Sequence, residues 1–452
     1  MHRGSRVSGI GGCLNERTPK WRRCAGDRHL HKTSCTCAVG SLQRSPAAPS
    51  GQTVRRLDRL KTRPRRNAAL RRAGAQTGLS AITRQRDGKP DLADVLILDG
   101  SHGEGGGQIL RTALSLSTIT ARAFRLDNIR AGRRNPGLLP QHLSAVRAAA
   151  AISGAAISGD RLGSSELSFA PSHSPSAGSY VFDVAQAAER GSAGSATLVL
   201  QTIVLPLALA EAASTVVVHG GTHVEWSPPF DDFAYAYLPA LHMIGLCIDA
   251  ELKRWGWYPV GGGEIVCTIA GRLHRDDQGA AWPYPLHALE RGALRRITGR
   301  AVAANLPAHI PQRMADRARA SLDDLGVAVD IQAQRVSAAC PGAGIFLLAD
   351  YAPLKASFSA YGRLGRPSEA IADQVVGAVR EHHASSAAVE LHLADQLLLP
   401  LSVAAGPSEF TVAHASGHLM TNAWIIGQFG IAGISIEDGI PCRVRIEPHG
   451  RR

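Results

Sequence analysis

At 452 residues and 44% apolar composition, the chain buries enough surface for one large or two to three ordinary domains, which excludes a small stapled scaffold. The net charge of +13 divides unevenly: residues 1–90 carry 21 Lys/Arg against four Asp/Glu, or +17, leaving 13 − 17 = −4 for the rest. The body is therefore not globally basic, and any nucleic-acid contact there must come from local arginine clusters.

In chain order, residues 1–94 come first. Stretches such as 55–75 are rich in arginine and poor in acids and apolar periodicity, which predicts a disordered extension. That composition fits an over-long start, an organelle transit peptide or a basic arm that holds RNA. Cys13, Cys24, Cys35 and Cys37 lie here, and the "CTC" at 35–37 lacks the two-residue spacer of zinc and redox pairs. With Cys247, Cys267, Cys340 and Cys442 scattered through the body, the expectation is reduced thiols and a cytoplasmic protein.

From Val95 a pattern occurs three times: a glycine-punctuated turn into an apolar helix (103–119, 191–210, 393–406), a second helix closed by glycine (137–154, 230–245, 417–430), then two β-like segments, the last at 166–171, 264–270 and 443–448. Each unit reads as two helices on a small sheet, an α/β (α+β) class. The apolar run 196–213 carries Gln201 and a proline, so it reads as a buried helix, and no transmembrane segment is predicted. The third unit starts late. Residues 287–385 supply the surplus as a self-sufficient α/β insert, with strands at 295–305, 327–334 and 344–352 and helices at 311–325 and 367–383. The repeat domain is then 95–286 plus 386–452.

Four motifs carry candidate chemistry. "DGSHGEGGGQILRT" (99–112) sets five glycines around Glu104 and runs into a helix; glycines let backbone N–H groups approach an anion, and a carboxylate at a phosphate site commonly holds a divalent ion. "IRAGRRNPGLLPQH" (129–142) presents Arg130, Arg133 and Arg134 before a helix containing Gln141 and His142, with Arg111 one turn into the first helix; guanidinium forks grip phosphate, although such clusters are often solvated loops. "EWSPPFDDF" (225–233) offers two carboxylates, of which Asp231 reads equally as a helix cap. "HASGHLMTN" (414–422) places His414 and His418 at a helix start, where a neutral imidazole can attack phosphorus.

The first, second and fourth of these, together with "GSAGSATLVLQT", "PVGGGEI" and "LADQLLLP", occur in the order and spacing of RNA 3′-terminal phosphate cyclases, which the chain resembles over essentially all of 95–452. The resemblance implies three copies of a two-helix, four-stranded unit, like the C-terminal domain of bacterial initiation factor three, with a smaller thioredoxin-like α/β insert. It implies an ATP-dependent reaction in which the histidine before Leu-x-Thr-Asn, His418, becomes a histidyl-adenylate, the adenylyl group passes to an RNA 3′-phosphate, and the 2′-hydroxyl displaces AMP. It further implies Glu104 at a Mg2+ or Mn2+ ion on ATP, and Arg111, Arg130, Arg133 and Gln141 around the RNA phosphate. Gln201, Pro228, Asp231 and the run His392, Leu393, Ala394, Asp395 and Gln396 fall at the nucleotide, with Pro228 and His392 on either side of the adenine. His392 stands where tyrosine is common, and Trp255 where a basic residue is usual. The competing expectations are a ribosome-assembly factor that has lost the nucleophile, against which His418, Glu104 and the arginines argue, and a transferase on a small phosphorylated substrate.

Overall fold

The computed structural model describes residues 95–187, 193–272, 281–352 and 354–450. The extension 1–94, with its four cysteines, and the start of the second glycine turn at Gly191 lie outside the described residues.

The first part comprises β1 (Leu96–Asp99), α1 (Gly107–Thr120), β2 (Phe124–Asp127), α2 (Pro140–Ser153), β3 (Ala156–Ser158) and β4 (Leu167–Ala170). Its sheet has the order β1-β2-β4-β3, with β1 parallel to β2 and β4 antiparallel to both its neighbours. Next come β5 (Ser179–Asp183), α3 (Ala196–Ala208), β6 (Ser214–Gly220), α4 (Phe230–Asp232), α5 (Leu238–Met243), β7 (Ile248–Arg254) and β8 (Gly263–Ile269), forming a sheet β5-β6-β8-β7 with the same senses. After β9 (His287–Ala288) the chain makes β10 (Leu294–Ala304), α6 (His309–Leu322), β11 (Ala328–Val336), β12 (Gly342–Tyr351), β13 (Lys355–Tyr361) and α7 (Ser368–Ser385), whose sheet runs β11-β10-β12-β13. It ends with α8 (Leu391–Leu401), β14 (Ser408–Val412), α9 (Gly417–Phe429), β15 (Ala432–Glu437) and β16 (Cys442–Pro448); these strands pair as β9-β14-β16-β15, again with one parallel and two antiparallel pairings.

Two elements depart from the sequence expectation. The helix expected over 230–245 is interrupted by a wide π turn at Phe233–Tyr237 between α4 and α5. Pro239 follows that turn, and its ring, with no N–H to give, cannot sit against the carbonyl four residues back. Strand β13 was not expected, because its inward positions Ala356, Phe358 and Ala360 include only one large side chain, too weak an alternation to read.

One apolar core joins α1, α2, α3, α8 and α9 to the sheets beneath them, and it includes Ile109, Leu114, Leu200, Phe410 and Ile425. A second core, around Met314, Ile345 and Val375, lies between the β10–β13 sheet and α6 and α7. Helix α3 is buried along its whole length except at Gln201. A polar side chain in such a helix needs a partner, and this requirement points it toward the site.

Candidate active site

The glycine-rich loop between β1 and α1 is held at several points. Asp99 Oδ1 accepts from Ser101 N (3.0 Å), Ser101 Oγ (2.7 Å) and Asn128 Nδ2 (3.1 Å). The His102 ring stacks on Trp424 of α9 with centroids 3.9 Å apart. Gly103, at φ +58°, approaches α9 so closely that an added Cβ would lie 2.5 Å from Thr421 Oγ1, and a Cβ on Gly417 would lie 2.5 Å from Glu104 Oε1. These glycines thus close the loop onto α9 and deliver Glu104 to the start of that helix.

His418 follows the α9 N-cap, Ser416, whose hydroxyl accepts from Leu419 N (3.1 Å). Its half-exposed ring is bracketed. Nε2 lies 3.1 Å from Glu104 Oε2, and Nδ1 is hydrogen-bonded to Gln108 Oε1. The Gln108 amide donates to the His418 carbonyl (3.2 Å) and to Asp395 Oδ2 (3.3 Å), which turns its oxygen toward Nδ1. In that arrangement Nδ1 carries the proton, and loss of the second proton leaves the lone pair on Nε2. Burial holds the imidazole below its ordinary value against the pull of Glu104, and the Arg111 and Arg133 charges act with burial. Asp395 lies 3.9 Å from Nδ1, and burial raises its carboxyl to about 7. Asn422 ties the three helices together, accepting from Thr112 Oγ1 (2.8 Å) and donating to Asp395 O (2.9 Å). His414 is exposed ahead of the helix.

Beside this cluster α1 begins without a capping side chain and without an acid in its first turn. A Cβ on Gly106 would lie 3.0 Å from Arg133 Nη2; one on Gly107 would lie 2.2 Å from His142 Nε2 and 3.0 Å from Arg111 Nη1. The Arg111 guanidinium has no hydrogen-bond or ion-pair partner among the described residues, and burial lowers it to about 10 with only Asp395 opposing. A guanidinium that no side chain pairs, beside an uncapped helix start, has the chemistry to receive an anion. Arg133 Nη2 is 3.4 Å from Glu104 Oε2. Arg130, at φ +55°, spends Nη1 on the carbonyls of Asn135 (2.6 Å) and Gly137 (3.0 Å), so it shapes the arginine loop, while Arg134 is exposed. Gln141 Oε1 accepts from Ser195 N (3.2 Å), the N-cap of α3.

At the start of α8, Glu390 Oε2 accepts from His392 N (2.9 Å) and Leu393 N (3.0 Å), and Oε1 meets His392 Nδ1 (2.8 Å). That carboxylate raises the His392 imidazole to about 9 while the ring faces solvent. Leu393 and Ala394 are buried, and Gln396 Oε1 accepts from Gln201 Nε2 (3.0 Å). The Pro228 carbonyl accepts from Thr197 Oγ1 (2.6 Å). Asp231 is committed elsewhere. Arg300 of β10 donates to both its oxygens (2.7 and 2.8 Å), and His223 Nε2 lies 2.8 Å from Oδ2. Burial opposes the charge, but His223 and Arg300 together hold the carboxyl below its ordinary range. The α4 N-cap is Pro229, so Asp231 is not a helix cap; it bolts α4 to the β10 sheet. Trp255 completes this bolt, stacked on His223 (4.4 Å) with the Arg300 guanidinium 4.6 Å above its ring.

A family profile described as RNA 3′-terminal phosphate cyclase matches residues 102–436. The chain belongs to that family of enzymes. It is 51% identical over 342 residues to the RNA 3′-terminal phosphate cyclase of Methylococcus capsulatus, covering 76% of this chain and 93% of the relative. The protein of the same name from Gloeothece citriformis is 50% identical over 342 residues, 76% of this chain and 95% of its own length, and that from Salmonella agona is 41% identical over 348 residues, 77% and 95%. In this cyclase-family chain Gln108, Glu390, Asn422 and Arg300 were not singled out from sequence. Their only advance signal is a polar side chain at a helix or strand position whose neighbours are buried. Among the described residues no group of three or more His, Cys, Asp and Glu side chains is arranged to hold a metal ion, and no helix is long and apolar enough to cross a membrane.

Proposed function

We propose that this chain converts an RNA 3′-terminal phosphate to a 2′,3′-cyclic phosphodiester with ATP, through a covalent adenylate on His418. Nε2 attacks the α-phosphorus, so that a P–N bond forms as the bond from that phosphorus to pyrophosphate oxygen breaks. An oxygen of the RNA 3′-phosphate then takes the adenylyl group, and the imidazole is regenerated. Finally the neighbouring 2′-hydroxyl attacks the 3′-phosphorus, loses its proton, and AMP leaves.

The observation that carries this reading is the placement of His418. Nδ1 is held by Gln108, whose amide is fixed in turn by Asp395, while Nε2 faces the Glu104 side, near the Arg111 guanidinium that no side chain pairs. For nucleophilic attack Glu104 must turn away from Nε2. A single, partly exposed carboxylate there fits a Mg2+ or Mn2+ ion whose other ligands are water and nucleotide phosphate, and such an ion, when bound, neutralises phosphate charge. The turn of Pro228, the Gln201–Gln396 pair and the α8 start with His392 support a nucleotide site, to which Asp231 contributes by bracing α4. Arg111 and Arg133 grip the RNA phosphate, with Arg130 and Gln141 shaping the loop and the helix pair around it. The three sheets of like order and sense support a threefold repeated unit, and the separate core of β10–α7 supports a thioredoxin-like insert.

Incubation with α-labelled ATP and magnesium, followed by denaturation, should leave acid-labile, alkali-stable label on the protein. His418→Ala should carry none. Equal label on that variant rejects the mechanism, and an unlabelled wild type returns the assembly-factor reading.

A further inference from the structure

Among the buried titratable groups that the mechanism leaves unused is His142. It sits in the first turn of α2, only 3% exposed, and its Nδ1 accepts from the backbone N–H of Leu139 (3.1 Å). A ring nitrogen that accepts from an amide cannot itself carry the proton, so in the neutral imidazole the proton is on Nε2. That nitrogen has no hydrogen-bond partner among the described residues. It points at Gly107, at the uncapped start of α1, where only the missing Cβ lets it approach, and Arg111 Nη1 reaches the same spot. Burial and the Arg111 and Arg130 charges push the imidazole down to about 3, so it is neutral near pH 7.

We propose that His142 is a positioning residue for the RNA 3′-phosphate, a neutral imidazole locked by Leu139 as an Nε2–H donor that converges with Arg111 and the α1 N-terminus on one phosphate oxygen. The inference rests on the phosphate-site reading above and deepens it. A neutral donor suits this place because it adds a directed hydrogen bond without a further positive charge beside Arg111, Arg130 and Arg133. It also cannot serve as a base: Nδ1 is occupied by the amide, and the phosphate meets only N–H.

The test uses the full chain and an oligoribonucleotide ending in a 3′-phosphate. In His142→Asn the amide oxygen can still accept from Leu139 N–H while reaching no further, so the local cap is retained and the donor is lost. His142→Gln extends an N–H2 to the place of Nε2. The expected result is that Asn leaves self-adenylylation with ATP alone within threefold of wild type and raises KM for the RNA about tenfold, as loss of one hydrogen bond to a charged group implies. Gln should recover at least part of that KM. An unchanged KM in the Asn variant, loss of both steps together, or a Gln variant no better than Asn overturns the proposal. Arg133→Ala serves as the control. If it too leaves the RNA step intact, the phosphate-site reading itself has failed; if it impairs that step while His142→Asn does not, only the role of His142 has failed.

Discussion

Gly417→Ala separates helix propensity from site geometry. Alanine favours a helix over glycine by up to about 1 kcal/mol, and Gly417 is not among the glycines held at positive φ, so the backbone accepts the change. The added carbon, however, would lie 2.5 Å from Glu104 Oε1 and 3.0 Å from Glu104 Cγ, where ordinary contact begins at 3.4 Å. The carboxylate must therefore retreat by about 0.9 Å, which a partly exposed side chain on a loop can do at little cost to the fold. Its 3.1 Å approach to His418 Nε2 then opens to about 4 Å, outside hydrogen-bond range. Because the carboxylate has to leave Nε2 before attack in any case, the cost falls on its placement toward the ion on ATP: losing one contact to a charged group costs about 1.5–3 kcal/mol, or roughly 10- to 100-fold in the adenylylation rate. Single-turnover labelling with α-labelled ATP should show that loss, while thermal unfolding of the same protein stays at or slightly above the wild-type Tm. A rate within threefold of wild type, or a loss of rate matched by a comparable fall in Tm, refutes the reasoning.

Two further predictions concern stability. Arg300→Ala strands the buried Asp231 carboxylate beside His223, and breaking such a pair costs about 3–5 kcal/mol, less here because Arg300 is partly exposed; a urea midpoint equal to wild type would show the pair to be ornamental. His142 is held neutral in the native chain with a pKa of about 3, whereas the unfolded chain protonates it near about 6.5. The unfolded state therefore binds more protons between those values, so this contribution is complete above pH about 6.5 and is lost as pH falls toward about 3, with a ceiling of about 5 kcal/mol. His142→Asn should flatten the fall in stability between those limits. The slope left over belongs partly to His382, which burial lowers to about 4; an unaltered slope in the variant would remove His142 from the account.

The sequence by itself determined what depends on neighbours along the chain. Glycine before an apolar helix, Ser416 ahead of His418, the proline-started α2 and the arginine loop are all set within a few residues, because caps, turns and helix periodicity are short-range physics. Residue type likewise marked His414 and His418 alike, with Glu104 and Arg111, as groups able to attack, hold or bind a phosphate-bearing ligand, and the family resemblance singled out His418. Tertiary structure alone decided what those groups do with their hydrogen bonds. Gln108 and His418, 310 residues apart, meet only because α1 and α9 pack in one core, and that contact sets which imidazole nitrogen carries the proton. Asp231 read from its neighbours as a helix cap, yet Arg300, 69 residues on, takes both its oxygens, since a buried carboxylate goes to the cation that best offsets its desolvation. The same holds for His142, an ordinary helix residue in the sequence, whose proton is placed by one backbone amide and whose free nitrogen is aimed by the absence of a side chain at Gly107.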